Sequence, residues 1–327
     1  MLKKVDKAGD TTDEDGAEDG GSLERAVWID LCSPTDAEIE RVEKAFDIAI
    51  PNRAHLAEIE ASSRLRADRG RLIMSAPLIA RQGEVGMLSP TGFLLLESTL
   101  VTIRFAEMAA FDAVHEAVTK ADKPTSAREV FVRLLEDIVD RSADRLERVA
   151  EELTKASHDI FAEPEKDSKK HRLAHETRRL RALMISIGRQ SEQMVKVRHA
   201  FLAIGRIASF VTDRCEPRIE DDLRERLASI RHDIESLDEF ESSLTGRVQL
   251  LLDAATGFIS IEQNEVVKVL TVVSVAGVPP VLIAGVYGMN FQHMPELAWK
   301  YGYPYAIVAM VASTVLPVLW FKWRDWL

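Results

Sequence analysis

Two uncharged stretches near the end of the chain constrain its fold more than any other feature. Residues 269–287 and 303–321 contain no Asp, Glu, Lys, Arg or His, and each is long enough as an α-helix to cross the hydrocarbon core of a bilayer. All four tyrosines and four of the five tryptophans lie at or near the ends of these stretches, as in the aromatic belts of membrane proteins. A buried helical hairpin in a soluble protein is the alternative, but stretch length and aromatic placement favour two membrane-spanning helices.

The remainder of the chain has the composition of a water-soluble protein. Charged residues make up 29% of the sequence, and roughly 265 residues precede the first stretch, enough for a sizeable soluble core. The formal net charge of −11 argues against nucleic acid as a partner and fits the attraction of cations. Because residues 1–25 are acidic and polar with no apolar run, they predict a disordered tail rather than a signal peptide. Cys32 and Cys215 match no metal or redox spacing, so we expect reduced cysteines of a cytosolic domain.

The basic residues around the two stretches predict their orientation. Only Lys300 lies in the turn between them, whereas Lys268 precedes the first stretch and Lys322 and Arg324 follow the second. Both ends of the chain are therefore expected in the cytoplasm, with the turn outside. The sequence contains no P-loop, nucleophile elbow or catalytic histidine motif, so no enzyme is predicted.

Upstream of the stretches, the pattern predicts a mixed α/β domain followed by long helices. Short apolar or β-branched runs bounded by Gly, Pro and Ser indicate strands, and Ser33 followed by Pro34 suits an N-cap and the first position of a helix. Charged helical patterns at 126–160 and 168–212 predict a long helical hairpin. The predicted strands are 26–31, 71–79, 93–97 and 99–105, and the predicted helices of the α/β domain are 34–47 and 51–66.

A heptad seam begins after Pro217, where apolar residues recur with a mean spacing of about 3.5 residues, as in a helix packed against partners. No proline interrupts the pattern before Pro279, so we expect one stalk helix of roughly 70 residues, on the order of 100 Å long, that continues into the first stretch. A helix of this length needs neighbours, either the upstream hairpin or identical helices of other subunits. The seam residues are Ile219, Leu223, Leu227, Ile230, Ile234, Leu237, Phe240, Leu244, Val248, Leu251, Ala255 and Phe258.

The predicted fold class is α+β, and the patterns divide the chain into segments. Residues 1–25 form an acidic tail, 26–125 the cytoplasmic α/β domain and 126–216 the helical hairpin. Residues 217–290 form the stalk helix and first span, 291–302 the external loop, 303–321 the second span and 322–327 a cytoplasmic tail.

Two spans in one chain cannot enclose an ion path, so conduction would require an oligomer in which one helix per subunit lines the axis. The first span is the candidate because small and polar residues follow one of its faces at alternating spacings of three and four. Thr271 and Ser274 could instead bond back to their own helix or pack against a neighbour, but their alignment with Asn264 and Gly288 favours a lining role. We expect Pro279-Pro280 to kink the helix. The face comprises Asn264, Val267, Thr271, Ser274, Val278, Val281, Gly285 and Gly288.

The turn between the spans carries a distinctive motif. Gly288-Met289-Asn290 is followed by Phe291, by Met294-Pro295-Glu296-Leu297, by Gly302-Tyr303-Pro304 and later by Trp326-Leu327. The tripeptide, placed in the turn after the first span and followed by these residues, resembles the motif of the CorA family of divalent-cation channels, usually described as magnesium transporters. The resemblance covers nearly the whole chain after residue 25, because residues 26–31, 58–62, 233–237 and 257–264 resemble the enterobacterial-type branch of that family.

The resemblance implies a homopentamer in a bacterial inner membrane, with a cytoplasmic funnel and a pore lined by the first span. It implies Mg²⁺ entry driven by the membrane potential, with Co²⁺ and Ni²⁺ as further candidate ions. Gly288, Met289 and Asn290 would form the selectivity filter, where Asn290 amide oxygens bind the waters of hydrated Mg²⁺ without replacing its inner shell. Glu296 would raise the cation concentration at the external mouth, or it is an interfacial carboxylate with no role. Gly288 is equally compatible with a simple helix C-cap.

The gating residues of the family carry over position by position. Asn264, Leu270 and Val278 match pore constrictions of the family, although Val278 is shorter than the Met often found there. Val281 stands where many members carry Thr, which removes one ring of hydroxyls. Asp253 matches a stalk aspartate that some members use in an inter-subunit regulatory Mg²⁺ site, so Mg²⁺ would be both transported and regulatory. Its alternative is a solvated helix carboxylate.

Three other interpretations compete with this one. His171 and His175 could bind a transition metal, but no third ligand is evident and the neighbouring arginines indicate a solvated basic face. A zinc-translocating relative would share the Gly-x-Asn of the turn, but the Met294-Pro295-Glu296-Leu297 continuation favours magnesium. A membrane-anchored coiled-coil sensor without conduction is the more distant alternative, and the polar face of the first span argues against it. The expected partners are further copies of the chain, divalent cations and membrane lipids, but no nucleic acid.

Overall fold

The computed structural model describes residues 2–6, 11–14, 23–58, 60–68, 70–80, 86–120, 125–162, 172–215, 217–289, 299–324 and 326. The chain divides into two compact units. The first comprises Met1–Ala162 and Leu183–Leu251, and the second comprises Glu163–Ala182 and Leu252–Leu327.

A seven-stranded mixed sheet lies at the centre of the first unit. Its spatial order is β2-β1-β3-β7-β6-β5-β4. The pair β3–β7 is parallel, with Ile29 opposite Val101, and the other pairs are antiparallel. Both parallel strands are buried along almost their whole length, which is the usual setting for parallel pairing. The strands are β1 (Leu2–Asp6), β2 (Thr11–Glu14), β3 (Ala26–Cys32), β4 (Leu65–Asp68), β5 (Arg71–Ala80), β6 (Met87–Leu95) and β7 (Leu100–Arg104).

The helices fall into a short and a long group. The short ones are α1 (Asp36–Phe46), α2 (Arg53–Leu56), α3 (Ala61–Arg64) and α4 (Ala109–Thr119). The long ones are α5 (Ala127–Phe161), α6 (Arg172–Arg214), α7 (Asp221–Tyr287) and α8 (Gly302–Trp323). A mixed sheet domain followed by long helices, two of them candidate membrane spans, confirms the expected fold class.

The sheet has a hydrophobic core on each face because successive residues of a strand point to opposite sides. On one face, Trp28 and Phe93 each lie 6.3 Å from Phe111 of α4 between ring centroids, and Phe93 lies 5.9 Å from Phe131 of α5. The opposite face packs against α1 and α2 through a second buried cluster. This cluster includes Leu2, Leu23, Ile29, Leu31, Val42, Leu56, Leu94, Val101 and Ile103.

Helix α1 begins after Thr35, which is its N-cap. The Thr35 hydroxyl accepts a hydrogen bond from the Glu38 N–H at 3.4 Å, and the Glu38 carboxylate accepts one from the Thr35 N–H at 2.7 Å. This reciprocal capping box satisfies two backbone donors at once. Ser33 instead has a φ of 46°, so the expectation that Ser33 and Pro34 open the helix is wrong.

Segment 51–66 does not form the single helix that its pattern predicts. It forms the short helices α2 and α3 and enters β4 at Leu65. Strand β4 pairs with β5, so that Arg66 lies opposite Ile73. The expectation of one helix is wrong because the end of the segment takes its backbone partners from a neighbouring strand, which local pattern does not report.

Part of the predicted acidic tail is ordered. Strands β1 and β2 form a hairpin, and β1 pairs with β3, so that Lys4 lies opposite Ile29. Leu2, Val5 and Leu23 are buried. The expectation of disorder is therefore wrong for Leu2–Asp6 and Thr11–Glu14, because a few apolar side chains anchor the hairpin to the sheet.

The heptad seam of α7 is mostly covered by helices of the same chain. From Ile219 to Leu251 its residues are buried, except that Leu237 is half-buried and Phe240 is exposed. Arg226 of α7 donates to both carboxylate oxygens of Glu136 on α5, at 2.7 and 2.5 Å. Arg198 of α6 donates to Glu241 of α7 at 3.0 Å. Of the two neighbours that the sequence left open, the upstream helices therefore cover this part of the seam.

Candidate functional site

The second unit contains the apolar segments of α7 and α8, which are long and apolar enough to cross a membrane. Their mean hydropathies are 2.2 and 1.8, and only 6% and 11% of the two segments is buried. The core hairpin of a soluble protein would be mostly buried, so this alternative fits poorly. The predicted spans 269–287 and 303–321 lie within α7 and α8, respectively.

Most of the predicted lining face of α7 is exposed in the single chain. Val267, Val278 and Val281 are 58%, 57% and 72% exposed. Leu270, the further predicted constriction residue, is also exposed. Of the remaining lining residues, Asn264, Ser274, Gly285 and Gly288 are exposed and Thr271 is half-buried. The face is therefore continuous and free for a partner helix or for water.

The hydroxyls on this face bond back to their own helix. Thr271 Oγ1 donates to the Val267 carbonyl and Ser274 Oγ donates to the Leu270 carbonyl, each at 2.8 Å. This is the alternative that the sequence left open for both residues. It does not remove them from the face, because a donating hydroxyl keeps its oxygen lone pairs as acceptors.

Two prolines interrupt the backbone bonding of the first span. Pro279 and Pro280 lie inside α7, and neither has an N–H to donate to the residue four positions earlier. The carbonyls of Val275 and Ala276 therefore lose their usual helical donor. The predicted kink at this point stays a prediction.

The turn after α7 is described as far as Met289. The Gly288 N–H donates to the Ala284 carbonyl at 2.9 Å, and the Met289 N–H donates to the Val286 carbonyl at 3.2 Å. A Cβ at position 288 would lie 3.0 Å from the Ala284 oxygen, so close backbone approach favours glycine here. Asn290 and Glu296 lie outside the described residues.

Aromatic side chains cluster at both ends of α8. Trp299 lies 6.0 Å from Tyr301 and 6.1 Å from Tyr305 between ring centroids at its start. At its end, Trp320 lies 5.2 Å from Phe321, and Arg324 lies 5.7 Å from the centre of the Trp320 ring. Such clusters are typical of helices that end at the two membrane interfaces.

Trp326 lines a cleft at the start of the first span, together with Asn264, Val267, Lys268 and Thr271 of α7. Trp326 also lies 5.5 Å from Phe321 between ring centroids. The sequence placed Trp326 in the predicted aromatic belt and in the Trp326-Leu327 pair of the resemblance, but it predicted no contact with the lining face of α7.

Asp253 is exposed on α7. No group of three or more His, Cys, Asp or Glu side chains suited to a metal ion occurs within the described residues. His171 and the side chain of His175 lie outside them. Within the described residues Cys32 and Cys215 form no disulfide bond, and burial raises the pKa of each thiol.

This chain is similar to known proteins along nearly its full length. The model of the family described as CorA-like Mg²⁺ transporter protein matches residues 24–323. Magnesium transport protein CorA of Salmonella typhimurium is 33% identical over 312 residues, which is 95% of both chains. The proteins of the same name from Pectobacterium atrosepticum and Escherichia coli K12 are 32% identical over the same length and coverage.

Two solved structures share the fold at lower identity. The complete CorA magnesium transporter of Methanocaldococcus jannaschii has a TM-score of 0.75 at 17% identity, covering 100% of this chain and 98% of that one. The soluble domain of the same transporter has a TM-score of 0.61 at 15% identity, covering 79% of this chain and 97% of that one. With the family model matched over residues 24–323, these relatives show that the chain belongs to the CorA-like Mg²⁺ transporter family.

Proposed function

We propose that this chain is a magnesium transport protein that moves hydrated Mg²⁺ into the cytoplasm, down the membrane potential, across a bacterial inner membrane. The observation that carries the proposal is the family match along residues 24–323, together with relatives named magnesium transport proteins. Those names support transport rather than catalysis as the function. The basic residues that flank the spans favour cytoplasmic termini.

The proposed pore is a ring of α7 helices in a homopentamer. One chain supplies two candidate spans, which cannot enclose a water-filled path alone. The exposed face of α7 would line the axis, with constrictions at Asn264, Leu270 and Val278. Between the apolar rings, the acceptor oxygens of Thr271 and Ser274 would meet the waters around the ion.

The proposed filter is the turn Gly288-Met289-Asn290. Mg²⁺ loses its inner waters reluctantly, so Asn290 amide oxygens would bind those waters rather than the ion itself. Neutral oxygens hold a hydrated cation weakly enough to release it, whereas a ring of carboxylates would trap it. Glu296 would raise the local cation concentration at the mouth. Co²⁺ and Ni²⁺ are further candidate ions.

The test is Mg²⁺ flux into proteoliposomes containing wild-type protein or the Asn290→Ala variant. We expect the variant to assemble normally and to lose most of its flux, because it lacks the amide that recognises the hydrated ion. Gln249→Ala, which removes an exposed amide elsewhere on α7, is the matched control and should transport normally.

Three results would contradict the proposal. Near-normal flux through Asn290→Ala would remove the filter assignment. Zn²⁺ flux in preference to Mg²⁺, measured side by side in the same vesicles, would favour the zinc-translocating alternative. No flux of either ion would favour the non-conducting sensor.

A further inference from the structure

A deep pocket in the first unit lies far from the membrane helices in sequence and has no part in the proposed pore. It has a volume of about 1010 Å³, at the upper end of the range for small-molecule sites. It lies between the α1–α2 connection and the strands β4, β5 and β6. Its apolar floor consists of Ile48, Ile50, Leu56, Ile73, Leu94 and Leu96.

Ser75 gives this floor a polar group without a partner. The side chain is only 4% exposed, it lines the pocket, and its Oγ has no hydrogen-bond partner among the described residues. Leaving a buried hydroxyl unpaired is unfavourable, so an occupant that pairs with it would gain affinity. Ser89 is also buried and unpaired, but it does not line the pocket.

Arg64, Arg66 and Arg71 line the same pocket. Arg64 Nε donates to the Glu58 carbonyl and Arg71 Nη1 donates to the Asp47 carbonyl, each at 2.5 Å. These bonds hold the two guanidinium groups but leave most of their N–H donors available. Arg66 is exposed at the rim. Over the part of the chain that the structure describes, none of the three forms a salt bridge within 4.0 Å.

The electrostatics of Arg64 agree with this geometry. Partial burial, followed by the positive charge of Arg206, lowers the pKa of its guanidinium. An arginine paired with a carboxylate would be shifted in the opposite direction. The Glu60 carboxylate raises that pKa by less, so an anion would offset the repulsion between Arg64 and Arg206 that remains.

The rim also carries carboxylates, which restrict the kind of anion that fits. Asp47, Glu58 and Asp68 line the pocket together with His55. These carboxylates would repel a bare polyanion, whereas they would attract the metal of an anion that carries Mg²⁺. Guanidinium forks match phosphate oxygens bidentately, and the apolar floor suits an uncharged organic part.

We propose that this pocket binds an organic phosphate as its magnesium complex, the class to which magnesium nucleotides belong. The arginines would hold the phosphates, the carboxylates would face the metal and its waters, and Ser75 with the apolar floor would hold the organic part. The site is independent of the proposed pore, so its test measures binding and not flux.

The experiment is calorimetric titration of the purified full chain with ATP in the presence of Mg²⁺. We expect saturable binding. Adenosine, magnesium tripolyphosphate, Mg²⁺ alone and ATP in excess chelator should each bind this pocket at least about tenfold more weakly, because each lacks at least one of the three recognised parts. Equal binding of ATP with and without Mg²⁺ would overturn the role of the metal.

Matched variants locate the site. Arg66→Gln should weaken binding about tenfold by removing a charge-assisted bond, and Ser75→Ala about threefold. Arg25→Gln changes an exposed arginine outside the pocket and Ser89→Ala removes the unpaired hydroxyl that does not line it, so both should bind as wild type does. Absence of binding, or equal effects of all four substitutions, would overturn the proposal.

A last measurement distinguishes a ligand pocket from a contact between subunits. The thiol introduced by Arg66→Cys should react with a soluble maleimide in the assembled protein, and magnesium ATP should slow the reaction. A thiol that is unreactive until the oligomer dissociates would mean that another subunit occupies the pocket, and would also overturn the proposal.

Discussion

Asp30 and Arg104 form a buried ion pair between the central strands β3 and β7. Their side chains are 1% and 3% exposed, and Arg104 Nη2 lies 2.8 Å from Asp30 Oδ2. Thr102 also donates to Asp30 at 2.8 Å and accepts from Trp28 Nε1 at 3.0 Å. Burial alone would lower the pKa of Arg104, but the adjacent Asp30 carboxylate outweighs it and raises that pKa. The Arg104 guanidinium therefore keeps its charge inside the domain.

Removing one member of this pair should be costly. We expect Asp30→Ala to lower the free energy of unfolding by about 3–5 kcal/mol, because it leaves a buried guanidinium without its counter-charge. Chemical unfolding of the purified protein measures this.

Glu40→Ala is the control for that prediction, because Glu40 pairs with Lys44 on the exposed surface of α1. Exposed pairs contribute little, so its unfolding should match wild type. If both variants lost a comparable free energy of unfolding, the buried Asp30 pair would contribute no more to stability than an exposed pair.

At the scale of elements, α7 passes through two different environments. Seam residues up to Leu251 are mainly buried by α5 and α6, whereas apolar residues such as Ile261, Val267 and Leu270 are 58%, 58% and 63% exposed. The first part therefore contributes to the stability of the single chain. Most of the second part is exposed, although Ala255 and Val272 are buried within the described residues.

A core substitution in the first part tests this division. Leu227 is 0% exposed, and we expect Leu227→Ala to lower the free energy of unfolding by about 2–5 kcal/mol through the cavity it leaves. Leu227→Met at the same position should cost less than about 1.5 kcal/mol, because it nearly conserves the volume. Equal losses would indicate that the seam is not closely packed here.

The long elements were predictable and several short ones were not. The helices expected at 126–160, 168–212 and 303–321 correspond to α5, α6 and α8 within a few residues, because periodicity accumulates over many turns. Strands β1 and β4 and helix α4 were missed. The partners of β1 and the packing surface of α4 come from distant segments, such as Ile29 for Lys4. Strand β4 instead pairs with the next strand across a short turn, with Arg66 opposite Ile73.

The difference between local and long-range signals also applies to the candidate sites. The proposed lining face of α7 follows one helical period, so local sequence was sufficient to predict it. The pocket around Ser75 joins residues from the α1–α2 connection, β4, β5 and β6. No motif links Arg64, Arg71 and Ser75 in the sequence, so only the folded sheet brings them together.

At the scale of the whole molecule, the exposed apolar surface of α7 and α8 predicts assembly within a membrane. Lipid covers an apolar face, but it does not satisfy polar residues such as Asn264 and Ser274, which usually face a bundle interior or water. We expect the protein in mild detergent to be a pentamer by mass measurement. A monomer or dimer with intact transport would contradict this.

Regulation by internal Mg²⁺ is the prediction that depends on that assembly. Asp253 is exposed on α7, where it could meet a neighbouring subunit, and Mg²⁺ bound between subunits would stabilise a closed pore by its higher affinity for that state. As the internal Mg²⁺ concentration rises, Mg²⁺ would occupy this site, close the pore and stop further uptake. Asp253→Asn removes the charge at nearly constant volume, so it should raise the internal Mg²⁺ needed to stop flux by roughly fivefold or more.

The measurement is dye-reported uptake at a series of internal Mg²⁺ concentrations. Glu235→Gln removes an exposed carboxylate elsewhere on α7 and should leave the inhibition curve in place, which separates a specific site from general loss of negative charge. Because Asp253 lies off the buried seam, assembly should survive in both variants. Superimposable curves for wild type and Asp253→Asn would mean that Asp253 is a solvated carboxylate, and that any sensing of internal Mg²⁺ depends on other residues.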